Sequence, residues 1–359
     1  MPVTSSLSRA GQWFLRSGIQ EPSGGVARYY RADLEHNQPV STEITGYAVS
    51  ALFYLYSATG EELYRQHALK GAHFLCREAW DGTVLPFETP ATADGRFSYF
   101  FDCGIVVRGL LAAWRNNQEA ELVEVAAAIG QVMAADFAAH DGGYHPVVTL
   151  PTRQPGERDP LRWSRTPGCY QLKSALAWWD LYEATGESRF AALYERALEN
   201  ALRHYGSFLP GHPDRLKVVD RLHAFLYFLE GLLPRAGETQ CAAALCHGIR
   251  LVAEHCHSIA PEFERSDVYA QLLRIRLYAD WAGAAPLDRI AAASEAATLA
   301  AFQIESSDPR ADGGFYFGRQ GQNWLPHINP VSTAFALQAI ALWEQYKRDS
   351  QPALPRLLI

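Results

Sequence analysis

The 359-residue chain has no run of lysine and arginine, a net charge of −7 and an isoelectric point near 6.0. A phosphate backbone needs a basic face, so nucleic acid is excluded as a partner. No stretch of about 18 apolar residues occurs, which argues against insertion into a membrane. Met1–Gly18 lacks the charged-then-apolar pattern of a leader. Ser5–Arg16 reads instead as an amphipathic helix with Leu7, Ala10, Trp13 and Phe14 on one face, and a cytoplasmic location is expected. Cysteine is scarce. Cys76, Cys103, Cys169, Cys241, Cys246 and Cys256 form no C-x-x-C pair and mostly sit in apolar helical patterns, so reduced, buried thiols are expected. There is no phosphate-cradling glycine loop and no G-x-S-x-G elbow.

What the chain does contain is a recurring unit. Six segments are apolar nearly all round at helical spacing and open with turn or capping residues. They start near Ser41, Phe101, Thr166, Asp220, Ser266 and Asn329. Between them lie six segments with a single apolar stripe: Ser5–Arg16, Glu62–Glu78, Glu119–His140, Ser188–Tyr205, Thr239–His257 and Leu287–Gln303. A helix apolar all round is buried, and one with a single stripe covers it, so the first set is expected inside and the second outside. Twelve alternating helices make six hairpins, the repeat of a solenoid or a closed ring. The expected fold is all-α, an (α/α)6 barrel forming one domain over residues 1–359, with its inner helices opening on one polar cleft.

Closure is favoured by two features. Tight-turn signals recur ahead of inner helices: Ser23-Gly24-Gly25, Asp81-Gly82, Asp141-Gly142-Gly143-Tyr144 and Asp312-Gly313-Gly314-Phe315. These are expected to be short β-hairpins or extended turns on the rim. In addition, His36–Thr42 and His327–Thr333 share the pattern H-x-[NQ]-P-V-S-T, each opening an inner helix with proline for entry and Ser or Thr as cap. First and last hairpins are neighbours only in a ring. Pro146–Pro160 is expected to be a long rim loop, and Ser350–Ile359 an irregular tail.

The alternation and motifs make the chain resemble the six-hairpin glycosidase superfamily. More narrowly, it resembles six-hairpin proteins of bacterial exopolysaccharide biosynthesis clusters. The residues that carry this are DRLHAFLYFLEGLL (Asp220–Leu233), RSDVYAQLLRIRL (Arg265–Leu277), DGGFYFGR and HINPVSTAFALQA (within Asp312–Ala339). The resemblance implies a saccharide ligand, held at the N-terminal rim of the inner helices, and association with polysaccharide-synthesis enzymes. It assigns no reaction, since fold and function are separable.

Parallel inner helices would bring their N-termini to one end, so the chemistry is sought in their first turns. These offer Glu43 and Tyr47; Asp102; Arg165, Tyr170, Gln171 and Lys173; Asp220, Arg221 and His223; Glu264, Arg265 and Asp267; and His327, Asn329, Ser332 and Thr333. Acids and hydroxyls there also serve as plain caps. Lys173, Arg221 and Arg265 oppose the helix dipole and need another reason to be present. Glycoside hydrolysis needs one protonated and one ionised carboxyl, and the expected catalytic pair is Asp102 with Glu43 or Asp267. Asp102 lies among aromatics, where desolvation favours the acid form. Tyr29, Tyr30, Tyr99, Trp163 and Trp324 are candidates for stacking on sugar rings. An epimerase would instead use His223, His327 and Tyr170, and a lyase a similar set with Arg165 or Arg221. A binding protein without chemistry fits the same residues. Cys246-His247-Gly248 resembles the zinc-binding element of lanthionine-synthetase-like toroids, with Cys169 as a further ligand, but the partner cysteine motif is missing. The glycine-aromatic turns resemble terpenoid-cyclase toroids, whose Asp-rich motif is also missing. No metal or cofactor is expected.

Overall fold

The computed structural model describes residues 5–89, 96–348 and 355–359. Twelve α-helices lie among them: α1 (Ser5–Arg16), α2 (Thr42–Thr59), α3 (Glu62–Phe74), α4 (Phe100–Asn117), α5 (Ala120–Asp136), α6 (Gln171–Thr185), α7 (Ser188–His204), α8 (Val218–Gly231), α9 (Thr239–Ile259), α10 (Ser266–Trp281), α11 (Arg289–Ala300) and α12 (Pro330–Lys347). The even-numbered helices are buried on almost every face through their first three turns, as in α4 from Phe100 to Leu111. The odd-numbered ones bury one stripe, as α7 does with Phe190, Tyr194, Ala197, Leu198 and Ala201. The two hydrophobic patterns of the sequence thus sort into enclosed and covering helices.

Contacts among the described residues group into two units. The first comprises residues 20–28 and 38–205. In it α4 packs between α2 and α6, with α3, α5 and α7 against them. The second comprises residues up to 19, 29–37 and from 206 on. In it α10 packs between α8 and α12, with α9 and α11 outside and α1 against α12.

Within the first unit the enclosed helices meet backbone to backbone. A Cβ on Gly46 of α2 would stand 2.9 Å from the Ile105 carbonyl oxygen of α4, and one on Gly109 would stand 2.7 Å from that of Gly46. Gly104 of α4 lies against Ser174 of α6, where a Cβ would come within 2.5 Å of the backbone oxygen. Glycine is required at these positions by space.

Short antiparallel strands lead into the enclosed helices. In the first unit β1 (Val26–Ala27), β4 (Val40–Ser41) and β5 (Glu88–Thr89) run in the order β1-β4-β5, with Ser41 opposite Glu88, and β6 (Phe97–Tyr99) pairs with β7 (Val147–Thr149). The segment Pro146–Pro160, expected to be all loop, therefore opens with a strand. In the second unit β2 (Tyr30–Arg31), β3 (His36–Asn37) and β11 (His327–Ile328) run in the order β11-β2-β3, and β8 (Glu264–Arg265), β9 (Gly318–Gln320) and β10 (Asn323–Trp324) in the order β10-β9-β8. The opening strands of both H-x-[NQ]-P-V-S-T copies thus flank one strand, β2, and α1 packs on α12, so the two ends of the chain meet.

The two copies are not in structural register, however. α2 begins after Ser41, whose hydroxyl accepts from the Ile44 N–H, whereas α12 begins three motif positions earlier, after Asn329, whose side chain accepts from Val331 N–H. Ser332 therefore lies inside its helix and caps nothing. The true structural equivalents are Thr45 and Thr333, four residues past each cap. Each donates to the cap carbonyl (2.7 and 3.0 Å) and accepts from the amide after a Gly-Gly turn, Val26 and Phe315 (2.9 and 3.1 Å). Matching turn glutamines, Gln20 and Gln303, donate to Gly24 and Gly313 carbonyls. The repeat is thus a glycine turn bolted to a helix by threonine. Of the C-terminal tail, residues 350–354 lie outside the described residues. Pro355–Leu357 form a 3-10 turn, and Leu358 and Ile359 are buried, with Ile359 N–H donating to Gln338. The expectation of an irregular tail is corrected there.

The Gly104→Ala variant tests the backbone contact. Alanine's helix propensity alone would add about 1 kcal/mol, but the overpacked Cβ is expected to win and cost about 1–3 kcal/mol net, read from the urea midpoint. An unchanged or raised midpoint would show that α4 and α6 separate at no cost.

Candidate functional site

Close approach of α2 and α4 fixes what stands one turn nearer their starts. Three residues before Gly46 is Glu43, and three before Ile105 is Asp102. The helices meet at Gly46 and Ile105, so these two carboxyls occupy the same level of neighbouring first turns. Asp102 is 6% exposed and its Oδ2 has no hydrogen-bond partner. Burial, then the charge of Glu43, push its carboxyl well above the usual range, and only Arg28 opposes them. Glu43 is partly buried; desolvation pushes it up to about 7, again against Arg28. The pair therefore titrates as a unit that holds a proton at neutral pH. Arg28 and Glu88 complete this cluster, Arg28 Nη1 donating to Glu88 Oε1 (3.4 Å). Neither was singled out from the sequence.

The second unit carries a different cluster at the starts of α8 and α10. Arg265 is buried and forked onto Asp267 (Nε–Oδ1 3.0 Å, Nη2–Oδ2 2.5 Å). Its Nη1 donates to Asp220 (2.5 Å), whose side chain is 46% exposed, and its guanidinium lies 4.3 Å over the Phe317 ring. Two aspartates are thus the reason a cation stands at this N-terminus. Asp267 carries the opposite setting from Asp102. Burial would raise it, but Arg265 and His223 outweigh burial and hold it below the usual range, so it is an ionised partner of Arg265 and no proton donor. His223 Nδ1 is hydrogen-bonded to the Gln271 side chain (2.7 Å) and lies 3.5 Å from Asp267 Oδ2. Desolvation drives its pKa down to about 4, Asp267 opposing, so the imidazole is neutral at pH 7.

The remaining candidates fall into plainer settings. Arg221 lies over the Phe208 ring and donates to the Phe208 carbonyl. Glu264 is buried, accepting from Arg319 (2.7 Å) and from the Tyr269 hydroxyl (2.9 Å). Lys173 is fully buried in α6, and Tyr170 is buried with its hydroxyl donating to the Thr166 carbonyl. Arg165 lies over Phe97, and Trp163 packs edge-on against Phe101 and Tyr170. His327 is half-buried beside Tyr29, its pKa lowered by desolvation. Asn329 is the α12 cap. Trp324 is exposed and stacked on Tyr316 with 15° between the rings. Tyr30 is buried, its hydroxyl reaching Asp308. All six cysteines are free thiols, and Cys246 and His247 lie inside α9. Among the described residues no three His, Cys, Asp or Glu side chains gather in a metal-holding group. No helix among them is long and apolar enough to cross a membrane.

No family model and no curated protein matches the sequence. Solved structures do match. A sugar epimerase from a ruminal bacterium superposes with a TM-score of 0.69 at 10% identity, over 93% of this chain and 98% of its own. A D-mannose isomerase does so with 0.69 at 10%, over 97% and 100%. The unsaturated glucuronyl hydrolase of Bacillus sp. GL1, described as responsible for glycosaminoglycan degradation, gives 0.67 at 14%, over 95% and 96%. These neighbours belong to the six-hairpin glycosidase superfamily, and the chain has their all-α, (α/α)6 barrel fold.

His223 supplies a test of the second cluster. A folded pKa of about 4 against an ordinary 6.5 means its contribution is complete above pH 6.5 and is lost as pH falls toward 4. About 2.5 units correspond to roughly 3 kcal/mol. Chemical denaturation at pH 7 and pH 4 should show that extra loss in the wild-type chain and not in His223→Gln. Equal acid sensitivity of the two would remove the buried neutral imidazole from the account.

Proposed function

We propose that this protein is a carbohydrate-active enzyme that cleaves a glycosidic bond, with Asp102 as general acid and Glu43 as its ionised partner. The observation that carries this is the pair of coupled carboxyls in adjoining first turns, both displaced upward and sharing one opposing cation. Glycoside hydrolysis needs that division of labour. Asp102 gives its proton to the departing glycosidic oxygen as the bond to the anomeric carbon breaks. Glu43 stabilises the positive charge that develops on that carbon and takes the proton of the attacking water. The likeness in fold to sugar epimerases, an isomerase and a glucuronyl hydrolase supports a saccharide substrate. The resemblance of its sequence motifs to proteins of exopolysaccharide clusters supports a bacterial exopolysaccharide as its source, handled in the cytoplasm beside the synthesis enzymes.

A second reading is favoured by His223. A neutral imidazole held in place by Gln271 is suited to removing a proton from carbon, as epimerisation requires. One panel separates the two. The purified chain is offered oligosaccharides in deuterated water, and products are followed by mass and NMR. Hydrolysis gives reducing ends and no deuterium on carbon, and Asp102→Asn or Glu43→Gln should lower it by about 10²–10⁴-fold while His223→Gln spares chemistry. Deuterium on carbon that disappears in His223→Gln would replace the first reading with the second. Tight glycan binding without product in either assay would replace both with a binding role.

A further inference from the structure

The acid pair carries a tethered cation that its sequence surroundings do not announce. Three strands of the first unit end together: β1 leads into Arg28, β4 into α2 and Glu43, and β5 holds Glu88 opposite Ser41. Arg28 is fixed at its backbone by donation to the Pro39 carbonyl (3.0 Å). Its side chain is fixed by Glu88 (3.4 Å) and by the Phe87 ring, 5.0 Å below the guanidinium. Phe87 in turn meets Tyr99, the residue before α4, edge-on at 5.4 Å. So the cation is anchored to strands that enter both helices of the pair. Its side chain is 45% exposed while Glu88 is buried, and the Phe87 beneath it accepts at its carbonyl from Thr42 N–H, the residue before Glu43.

We propose that Arg28 is the positioning residue of this pair: held by Glu88 against Phe87, it makes Glu43 the member that ionises and leaves the proton on Asp102. The proposal rests on reading the pair as the acid–base machinery. Among the described residues, the charged group that acts on both acids is Arg28, with Glu88 paired to it on the sheet side. On α6, packed against α4, the first-turn cation Lys173 is wholly buried. Arg28 acts on both acids and each ionised acid acts on the other, but Asp102 is 6% exposed whereas Glu43 is only partly buried. A single proton is therefore best kept on Asp102, whose Oδ2 is buried without a donor that would stabilise a charge. Glu88 acts as a competitor, drawing part of the guanidinium's field away from Glu43.

The test is a carboxyl ¹³C NMR titration of the intact chain, which needs no substrate. Arg28→Gln should move the Glu43 midpoint up by about one unit. Glu88→Gln should move it down, because the freed guanidinium turns to Glu43. Arg28→Lys should restore part of the wild-type value, and thermal unfolding checks that each variant folds. Where a saccharide is turned over, the acid limb of kcat/KM should shift in the same directions. An unmoved midpoint in Arg28→Gln, or shifts of the same sign in Arg28→Gln and Glu88→Gln, would overturn the proposal and make Arg28 a strand anchor alone. Opposite shifts in a protein that turns over no saccharide would support it for the pair while overturning the glycosidase reading.

Discussion

Two carboxyls share a proton only where their backbones are held close, and here that closeness is set by glycine. Gly46, Gly104 and Gly109 let α2, α4 and α6 meet at backbone contact, too close for a Cβ in between. Everything argued for the first unit follows from that spacing. It puts Glu43 and Asp102 in adjoining first turns. The strands β1, β4 and β5 lead in at the start of α2, with Glu88 opposite Ser41 and Arg28 acting on both acids. The threonine bolts Thr45 and Thr333 show the same economy of parts in each unit: one hydroxyl joins a helix cap to a glycine turn.

The two clusters bury charge in opposite ways. In the second unit Arg265 sits between two aspartates and an aromatic ring, so that each charge has a partner and Asp267 stays ionised. Buried pairs of this kind are retained at little net gain, but removing one partner is severe. Arg108 and Asp180, further along α4 and α6, form another such pair at 2.9 Å. The Glu43–Asp102 pair is instead raised first by burial, with Arg28 opposing but not offsetting it. A surplus of acid in a low-dielectric place is resolved by keeping a proton, and a kept proton is what a general acid requires.

The twelve helices were legible because their signal is long: fifteen residues of all-round apolarity or a repeated single stripe identify a helix and its layer together. The helix-start acids were legible for the same reason, as Asp102 and Glu43 follow directly from where the apolar runs begin. Arg28 and Glu88 were not. They lie on two-residue strands, which have no period to detect, and their meeting depends on strand order. The register slip between His36–Thr42 and His327–Thr333 was equally hidden. Identical residues stand in both copies, but in one the Pro-Val-Ser stretch leads up to the helix and in the other it is already inside, with Asn329 taking the cap from Ser. The role of Asp267 depended on which cation it met, and that is decided by β8 folding Arg265 back onto it.

The upward displacement of Glu43 has to overcome a nearby cation. Glu43 rises from 4.5 to about 7, a net shift of roughly 3 kcal/mol, although Arg28 pulls the other way. Desolvation must therefore exceed the cation. With its folded value above the unfolded one, this group favours the folded state below pH 4.5, and that contribution is lost as pH rises through 7. A carboxyl that weakens the fold at neutral pH, while Ser41 beside it supplies the cap that Glu43 is not needed for, is better explained by proton transfer than by the stability of α2.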